Sequence, residues 1–301
     1  MKELIVISGK GGTGKTSIVA SFAALASNPV LADCDVDAAD LHLVVEPRVR
    51  QENPFVGGVK ARILPDMCVE CGQCRDHCRF DAVIPPDGQN PSFRIDPSAC
   101  EGCGVCERFC PTEAIVLEDA VNGRWFISDT RFGPMVHAEL GIAEENSGKL
   151  VSLLRKQARD LAGRQGRNML LVDGSPGIGC PVIASITGAD LALVVTEPTL
   201  SGRHDLQRIV ELTRHFNVPC AVCINKADIN PEMAAQIAAE AAAGSISVLA
   251  HIPYDNAVTQ AQMAGRSLIE HSDGPASQAI RQLWDRSLAM LNSEDTSANG
   301  Q

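Results

Sequence analysis

Eight cysteines between Cys68 and Cys110 form one pattern that is written twice. The spacing C-x2-C-x2-C-x3-C recurs with each cysteine displaced by 32 residues, and it comprises Cys68, Cys71, Cys74, Cys78, Cys100, Cys103, Cys106 and Cys110. The two halves are short and rich in turn residues, so bound metal has to replace the missing hydrophobic core. The pattern therefore predicts a small, metal-stabilised α+β domain at residues 61–119.

The order of the cysteines indicates which metal this domain binds. Three cysteines at x2 spacing are typical of a [4Fe–4S] cluster whose fourth ligand comes from the other half of the repeat. This crossing rule assigns one cluster to Cys68, Cys71, Cys74 and Cys110, and the other to Cys100, Cys103, Cys106 and Cys78. A pair of zinc sites is the alternative, although zinc ribbons usually use two C-x2-C pairs.

A phosphate-binding loop precedes the cysteines. Residues 9–16 read G-K-G-G-T-G-K-T and follow an apolar run, Leu4–Ser8; the helix predicted after them extends from Lys15 to about Ser27. In this strand–loop–helix context, backbone N–H groups and the helix N-terminus converge on phosphate oxygens. The motif predicts that Lys15 reaches the β- and γ-phosphates and that Thr16 ligates Mg²⁺. The other expected nucleotide contacts of the loop are Gly11, Gly12, Thr13, Gly14 and Ser17.

Short apolar strands alternate with helices in the rest of the chain, which favours a doubly wound, mainly parallel sheet. The predicted strands include 29–32, 168–172, 191–196, 220–224 and 247–252, and the predicted helices include 149–163, 206–216, 231–243 and 276–292. We therefore expect an α/β nucleotide-binding domain in two parts, 1–60 and 120–292. The domain at 61–119 is inserted between them, and residues 293–301 form a disordered tail.

An extra lysine, Lys10, makes the loop resemble the deviant Walker A motif of the MinD/ParA/Mrp and nitrogenase iron protein ATPases. The resemblance covers about 1–45 and 120–290. It implies a nucleotide-dependent dimer, either a homodimer or a heterodimer with a similar ATPase, in which Lys10 reaches the partner's nucleotide. It also implies that Asp35 orients or activates the attacking water, or else lies near Mg²⁺ without touching it. The stretch 173–177 resembles switch II, in which Asp173 holds Mg²⁺ through water and the Gly177 backbone senses the γ-phosphate.

The sequence N-K-x-D at residues 225–228 follows a predicted strand and resembles a base-reading motif. In GTPases the aspartate, here Asp228, accepts hydrogen bonds from guanine, so the motif alone leaves GTP open. The resemblance as a whole favours ATP, with Asn225 on the adenine and Lys226 beside it.

The cysteine module resembles bacterial 2[4Fe–4S] ferredoxins, with one departure. Pro111 follows Cys110, whereas Arg79 follows Cys78. Among the other cysteines, Cys34, Cys220 and Cys223 are expected to be structural. Cys180 occupies a position that resembles that of a bridging-cluster ligand in the nitrogenase iron protein. Residues 120–172 contain no cysteine to complete such a site.

The overall charge argues against nucleic acid as a partner. The chain has 301 residues with a formal net charge of −11, and it contains no run of lysine and arginine that would neutralise phosphates. No apolar stretch approaches the length of a membrane span, and the N-terminus enters a strand directly without a secretion signal. We therefore expect a cytoplasmic protein that binds neither nucleic acid nor membranes.

Together these features predict an ATPase, slow without a partner, whose ATP-dependent dimer switch is coupled to two [4Fe–4S] clusters. The switch would gate electron transfer to or from a redox or iron–sulfur protein. The alternatives are a carrier or assembly ATPase for iron–sulfur clusters, and a spatial organiser of the MinD/ParA kind that acts in cell division.

Overall fold

The structure is a computed structural model that describes residues 1–141 and 148–298. The described residues divide into two compact units. Unit 1 comprises residues 1–53, 125–139 and 148–298, and unit 2 comprises residues 54–124 with 140 and 141. Unit 2 therefore extends beyond the predicted insert, 61–119, at both ends.

Eleven strands are present in the described residues: β1 (Lys2–Ser8), β2 (Val30–Asp33), β3 (Arg48–Ile63), β4 (Val83–Ile84), β5 (Arg94–Ile95), β6 (Ile115–Asp129), β7 (Pro134–Leu140), β8 (Met169–Pro176), β9 (Leu191–Thr196), β10 (Cys220–Asn225) and β11 (Ser247–Ile252). Nine of them form one sheet in the order β11-β10-β9-β1-β8-β2-β7-β6-β3. The pairings from β11 to β7 are parallel. This confirms the predicted α/β fold with a mainly parallel sheet.

The described helices are α1 (Lys15–Leu25), α2 (Leu41–Val45), α3 (Gln73–Asp76), α4 (Val105–Arg108), α5 (Gly148–Arg164), α6 (Cys180–Ile186), α7 (Leu200–His215), α8 (Pro231–Ala243), α9 (Ala257–Met263), α10 (Leu268–His271) and α11 (Pro275–Ala298). Capping side chains define the residues at which several of these helices begin. Thr199 accepts the Gly202 N–H at the start of α7, and Asn230 accepts the Met233 N–H at the start of α8.

The central strands of unit 1 are buried on both faces, as expected for parallel strands covered by helices. Helices α1 and α11 contribute to this core, where the rings of Phe22 and Trp284 lie 5.0 Å apart. Ile280, Leu283 and Leu291 of α11 are also buried, which confirms that this helix packs on the core.

The end of α11 differs from the expectation. The helix continues to Ala298, so the tail predicted to be disordered from Ser293 is helical over its first six residues. The remaining residues of that predicted tail, 299–301, lie outside the described residues.

The sheet brings acidic residues together at the carboxyl ends of its strands. Asp33 in β2 lies opposite Asp173 in β8, and Val6 in β1 lies opposite Asp173 on the other side. The loop that follows β1 therefore lies next to two carboxyl groups. Ligand sites of open parallel sheets form at this edge.

Unit 2 contains a small apolar core of its own. Ala61, Ile63, Cys74, Val83, Phe93 and Ile115 are buried in it, and five further cysteines lie partly buried against it. Helices α3 and α4 have four residues each and follow left-handed glycines, Gly72 and Gly104. Gly102 adopts a φ of +64°, and a Cβ there would overlap the carbonyl oxygen of Val59, so this turn requires glycine.

Gly9 has to be glycine because α7 approaches it closely. A Cβ at this position would overlap the Cβ of Asp205, which is the base of a side chain rather than its flexible end. We expect Gly9→Ala to destabilise the protein by about 1–3 kcal/mol, as overpacking does. Urea unfolding followed by circular dichroism measures this.

Gly163→Ala is the matched control, since a Cβ at that position in α5 meets no atom within 4 Å. This variant should be as stable as the wild type or gain up to about 1 kcal/mol from helix propensity. Equal stability of the two variants would contradict the close packing of α7 on the loop.

Candidate nucleotide site and cysteine cavities

The loop between β1 and α1 borders a cavity of about 480 Å³ in unit 1. Gly12 and Gly14 adopt φ values of +76° and +91°, which direct the chain around the loop and into α1. A Cβ at Gly14 would lie 2.5 Å from the Asn225 Nδ2 atom, so β10 approaches the loop closely. Nine of the predicted nucleotide residues line this cavity: Gly11, Gly12, Gly14, Lys15, Thr16, Ser17, Asp35, Asn225 and Lys226.

Two polar contacts lie beside the loop, the first buried and the second partly buried. The Lys15 ammonium pairs with an Asp35 carboxylate oxygen at 2.9 Å, and both side chains are more than nine-tenths buried. The Thr16 hydroxyl donates to Asp173 at 2.6 Å. The structure thus brings together Lys15, Thr16, Asp35 and Asp173, which come from α1, from the turn after β2 and from β8.

Lys15 interacts electrostatically with the carboxyl groups of Asp33, Asp35 and Asp173. Burial raises the pKa of Asp173 from its usual 3.8 to about 6, against the opposing effects of Lys15 and Thr16. Burial and the neighbouring Asp173 raise the pKa of Asp33 well above its usual range, and burial also raises that of Asp35. Burial acts to lower the pKa of Lys15, but Asp173 and Asp35 outweigh it and raise this pKa above 10.5. The site therefore holds an excess of acidic groups over cations.

The donor atoms here suit a divalent cation. One carboxylate oxygen each of Asp33, Asp35 and Asp173 is buried without a hydrogen-bond partner. Buried polar atoms are normally satisfied, and Mg²⁺ prefers oxygen ligands while it keeps several of its waters. The residues present therefore fit a hydrated Mg²⁺ beside Thr16 and Asp173.

The base-reading residues make contacts within the protein. The Asn225 amide donates to the Thr13 carbonyl at 2.8 Å, and its oxygen accepts the Lys226 N–H at 3.0 Å. Asp228 accepts the Tyr254 N–H at 2.7 Å. Asn225 thus connects β10 to the phosphate-binding loop, and Asp228 holds the loop after β11. Direct contacts of either residue with a base remain a prediction.

The other predicted residues lie beside the cavity rather than in its wall. Thr13 is buried, and the Gly177 N–H donates to the Ser8 carbonyl at 2.8 Å. Lys10 lies 3.3 Å from a carboxylate oxygen of Glu197 and is about one-third exposed.

Sequence reasoning assigned no role to Asp40, Thr259 or Gln262, which also line the cavity. Asp40 belongs to the acidic stretch after β2, and this cluster of aspartates is visible in the sequence. Thr259 and Gln262 lie on α9, a seven-residue helix that carries no recognisable motif.

Two small cavities in unit 2 are lined by cysteines. Cys78, Cys100, Cys103 and Cys106 line the first. Cys68, Cys71, Cys74 and Cys110 line the second. Each cavity thus contains three cysteines from one half of the repeat and the fourth from the other half.

Backbone N–H groups point at cysteine sulfurs in both cavities. The Ala114 N–H donates to Cys110 Sγ at 3.2 Å, and the Ala61 N–H donates to Cys100 Sγ at 3.5 Å. Although burial acts to raise the pKa of Cys110, the N–H groups of Thr112 and Ala114 lower it below the usual 9.0. Burial raises the pKa of Cys74 to about 11. Cys71 and Cys103 are exposed.

Across residues 1–141 and 148–298, no group of three or more histidine, cysteine, aspartate or glutamate side chains is arranged to hold one ion. In an iron–sulfur cluster each thiolate binds a different iron. The four sulfurs of a cluster site therefore do not converge on one point.

The remaining cysteines separate into buried and exposed ones. Cys34, Cys220 and Cys223 are buried in unit 1. Burial raises the pKa of Cys220 to about 11 and that of Cys223 still further. Cys180 is exposed at the first residue of α6.

The loop between β1 and α1, at the carboxyl ends of parallel strands, defines a P-loop nucleotide-binding protein. Residues 4–269 match the CobQ/CobB/MinD/ParA nucleotide-binding domain, and the chain belongs to this family. Within the described residues, no helix combines the length and the apolar character needed to cross a membrane.

Three similar proteins illustrate this placement. The chain is 33% identical to the uncharacterized protein MJ0578 of Methanocaldococcus jannaschii, over 94% of its own length and 95% of the relative's. It is similar in structure to the septum site-determining protein MinD of Pyrococcus horikoshii complexed with Mg-ADP (TM-score 0.58, 15% identity, 95% of each chain). It is also similar to the MinC:MinD cell division protein complex of Aquifex aeolicus (TM-score 0.58, 17% identity, 96% of each chain). At these identities the two structures share the fold with this chain.

The charge on Asp173 should make stability depend on pH. Because the pKa of Asp173 is raised from 3.8 to about 6 by folding, the folded protein loses stability as pH rises between these values. Asp173→Asn has no charge to bury, so at pH 7.5 it should be more stable than the wild type by up to about 3 kcal/mol. The difference should shrink as pH falls from about 6 to 4. Urea unfolding across this pH range measures it.

Asp285→Asn, on an exposed position of α11, serves as the control and should follow the wild type at every pH. An unchanged pH dependence in Asp173→Asn would show that this carboxyl ionises as easily in the folded protein as in the unfolded one.

Proposed function

We propose that this protein is a cytoplasmic ATPase whose ATP-dependent dimerisation is coupled to two [4Fe–4S] clusters, and that the coupling gates electron transfer with a redox or iron–sulfur protein. One observation carries the proposal. A P-loop nucleotide cavity and two cavities lined by four cysteines each occur in a single chain.

The nucleotide site supports ATP hydrolysis. Lys15 and Thr16 line the cavity, where the motif would assign them to the phosphates and to Mg²⁺, and Thr16 is hydrogen-bonded to Asp173. Mg²⁺ would neutralise charge on the phosphates, and phosphoryl transfer depends mostly on positioning and on such neutralisation. Asp35 lines the same cavity with one carboxylate oxygen unpartnered, so it is the proposed base or orienting group for the attacking water.

In this proposal, Lys10 mediates dimerisation by reaching the nucleotide of a second subunit. Lys10 lies beside the cavity and about one-third exposed, so its side chain is accessible to a second subunit. A second copy, or a similar ATPase, would receive Lys10 at its nucleotide. The similar structures include MinD bound to Mg-ADP and MinD in complex with MinC, which supports a nucleotide switch that is read by a protein partner.

The cysteine cavities fit two [4Fe–4S] clusters. One cluster would be held by Cys68, Cys71, Cys74 and Cys110, and the other by Cys100, Cys103, Cys106 and Cys78. The N–H groups of Ala114 and Ala61 would stabilise the negative charge on two of these thiolates. When bound, such clusters supply one-electron transfer. A pair of zinc ions held by the same cysteines is the alternative, and metal analysis distinguishes the two.

Cluster delivery to another protein is the second candidate function. The exposure of Cys71 and Cys103 favours it, because a receiving protein could reach these sulfurs. Transfer of iron from the loaded protein to an apo-ferredoxin, measured with and without ATP, separates the candidates. Clusters that remain bound during ATP turnover support the electron-transfer function.

Iron content tests the cluster assignment. Anaerobically purified protein should contain about eight irons per chain. Cys78→Ser and Cys110→Ser should each lose about four irons, and each variant should lose a different cluster, since the crossing rule places these two cysteines on opposite clusters. Iron analysis and EPR of the reduced protein measure this.

Cys180→Ala is the control, because this exposed cysteine lies in unit 1 outside both cavities. It should retain all of its iron. Loss of iron in this variant would instead support a cluster that bridges two subunits, and stoichiometric zinc in the wild type would contradict the iron–sulfur assignment.

Asp35→Asn should separate nucleotide binding from hydrolysis. Loss of the carboxylate charge frees Lys15 for phosphate, so affinity for an ATP analogue should rise by about tenfold, or about 1.4 kcal/mol. Phosphate release should fall by at least about 100-fold if Asp35 acts on the attacking water. Fluorescent-nucleotide titration and a phosphate-release assay measure the two effects.

Asp37→Asn changes a neighbouring exposed carboxylate and should affect both properties little. Hydrolysis at the wild-type rate in Asp35→Asn would remove Asp35 from the reaction.

A further inference from the structure

Glu197 lies between two lysines of the nucleotide site. Its carboxylate oxygens lie 3.3 Å from Lys10 Nζ and 2.5 Å from Lys226 Nζ. The Glu197 side chain is only 14% exposed, whereas Lys10 is 37% exposed. The Ser201 hydroxyl lies 3.4 Å from Lys10 Nζ and completes the contacts of the lysine head group.

The backbone fixes Glu197 in this position. Glu197 follows the last residue of β9, Thr196, whose hydroxyl donates to the Gly202 carbonyl at 3.0 Å. A Cβ at Gly202 would overlap the Glu197 carbonyl oxygen, so the turn into α7 is tightly closed. The resting place of the Lys10 side chain is therefore set by the sheet and by α7.

Lys226 gives Glu197 a second partner. Its ammonium also lies 3.4 Å from the Gly12 carbonyl, within the phosphate-binding loop. A mostly buried carboxylate that loses its only cation is costly. Because Glu197 has two cations, it stays paired when one of them leaves.

We propose that Glu197 is a positioning residue that holds Lys10 against its own chain until a second nucleotide-bound subunit takes the lysine, while Lys226 keeps Glu197 paired. This inference rests on the proposed dimer switch. The ion pair between Lys10 and Glu197 is the contact that opposes dimerisation. An ion pair with this much exposure changes an equilibrium constant by about two- to fivefold. Binding of a partner can therefore break the contact readily.

Sedimentation with Mg²⁺ and a non-hydrolysable ATP analogue tests the proposal. Glu197→Gln should lower the dimer dissociation constant by about two- to fivefold, because Lys10 no longer has to leave an ion pair. In a Lys10→Ala background the same substitution should have no effect, since Glu197 acts through Lys10. This double-mutant comparison excludes a general structural effect of the substitution.

Glu240→Gln is the matched control. Glu240 pairs with Arg203 on the surface between α7 and α8 and does not contact Lys10. This variant should dimerise like the wild type. Binding of the analogue at concentrations too low for dimers is measured in parallel for Glu197→Gln and the wild type, which separates any effect on the nucleotide site through Lys226 from the effect on dimerisation.

The outcomes separate this inference from the proposed function. A wild type that fails to dimerise with the analogue, or a Lys10→Ala variant that dimerises as well as the wild type, would overturn both. Normal Lys10-dependent dimerisation with no gain in Glu197→Gln, or an equal gain in the Lys10→Ala background, would overturn the role of Glu197 alone.

Discussion

A single buried lysine, Lys15, balances the acidic groups at the carboxyl ends of β2 and β8. Asp33, Asp35 and Asp173 surround it, and only Asp35 pairs with it directly. This arrangement destabilises the three charged carboxylates, as their raised pKa values indicate. A polyphosphate with Mg²⁺ would change the balance, because phosphate attracts Lys15 and the cation attracts the carboxylates. In the folded protein, negative charge on these buried carboxylates is therefore unfavourable at the place where the proposed ligand binds.

The stability of unit 2 has a different basis, because its apolar core is small and is partly made of cysteines. The two four-residue helices cannot hold their positions by packing alone, and bound clusters would supply the missing stability. The combination with unit 1 is the basis of the proposed coupling. We propose that nucleotide chemistry in one unit and electron transfer in the other influence each other.

The sequence predicted those elements whose signal is local. The bounds of β9, β11 and α8 agree with the prediction residue for residue, because the two strands are short, largely apolar runs and α8 starts after the capping residue Asn230. Strand β3 gave no such signal. It lies at the edge of the sheet, is mostly exposed along 48–52, and contains Pro54, Gly57 and Gly58, which edge strands tolerate. The motif identified Lys10, Lys15 and Thr16, but the contact between Lys10 and Glu197 joins residues far apart in the chain. Only the folded sheet brings these two residues together.

In the proposed function, the nucleotide and the clusters are coupled in one molecule. The most direct test compares ATP hydrolysis by anaerobic protein in the oxidised and dithionite-reduced states, with the EPR spectrum of the reduced protein recorded with and without an ATP analogue. If the two are coupled, the turnover rate changes with the redox state and the analogue alters the EPR line shape. Coupling would be contradicted if fully iron-loaded protein had the same turnover rate in both redox states and the same EPR line shape with and without the analogue.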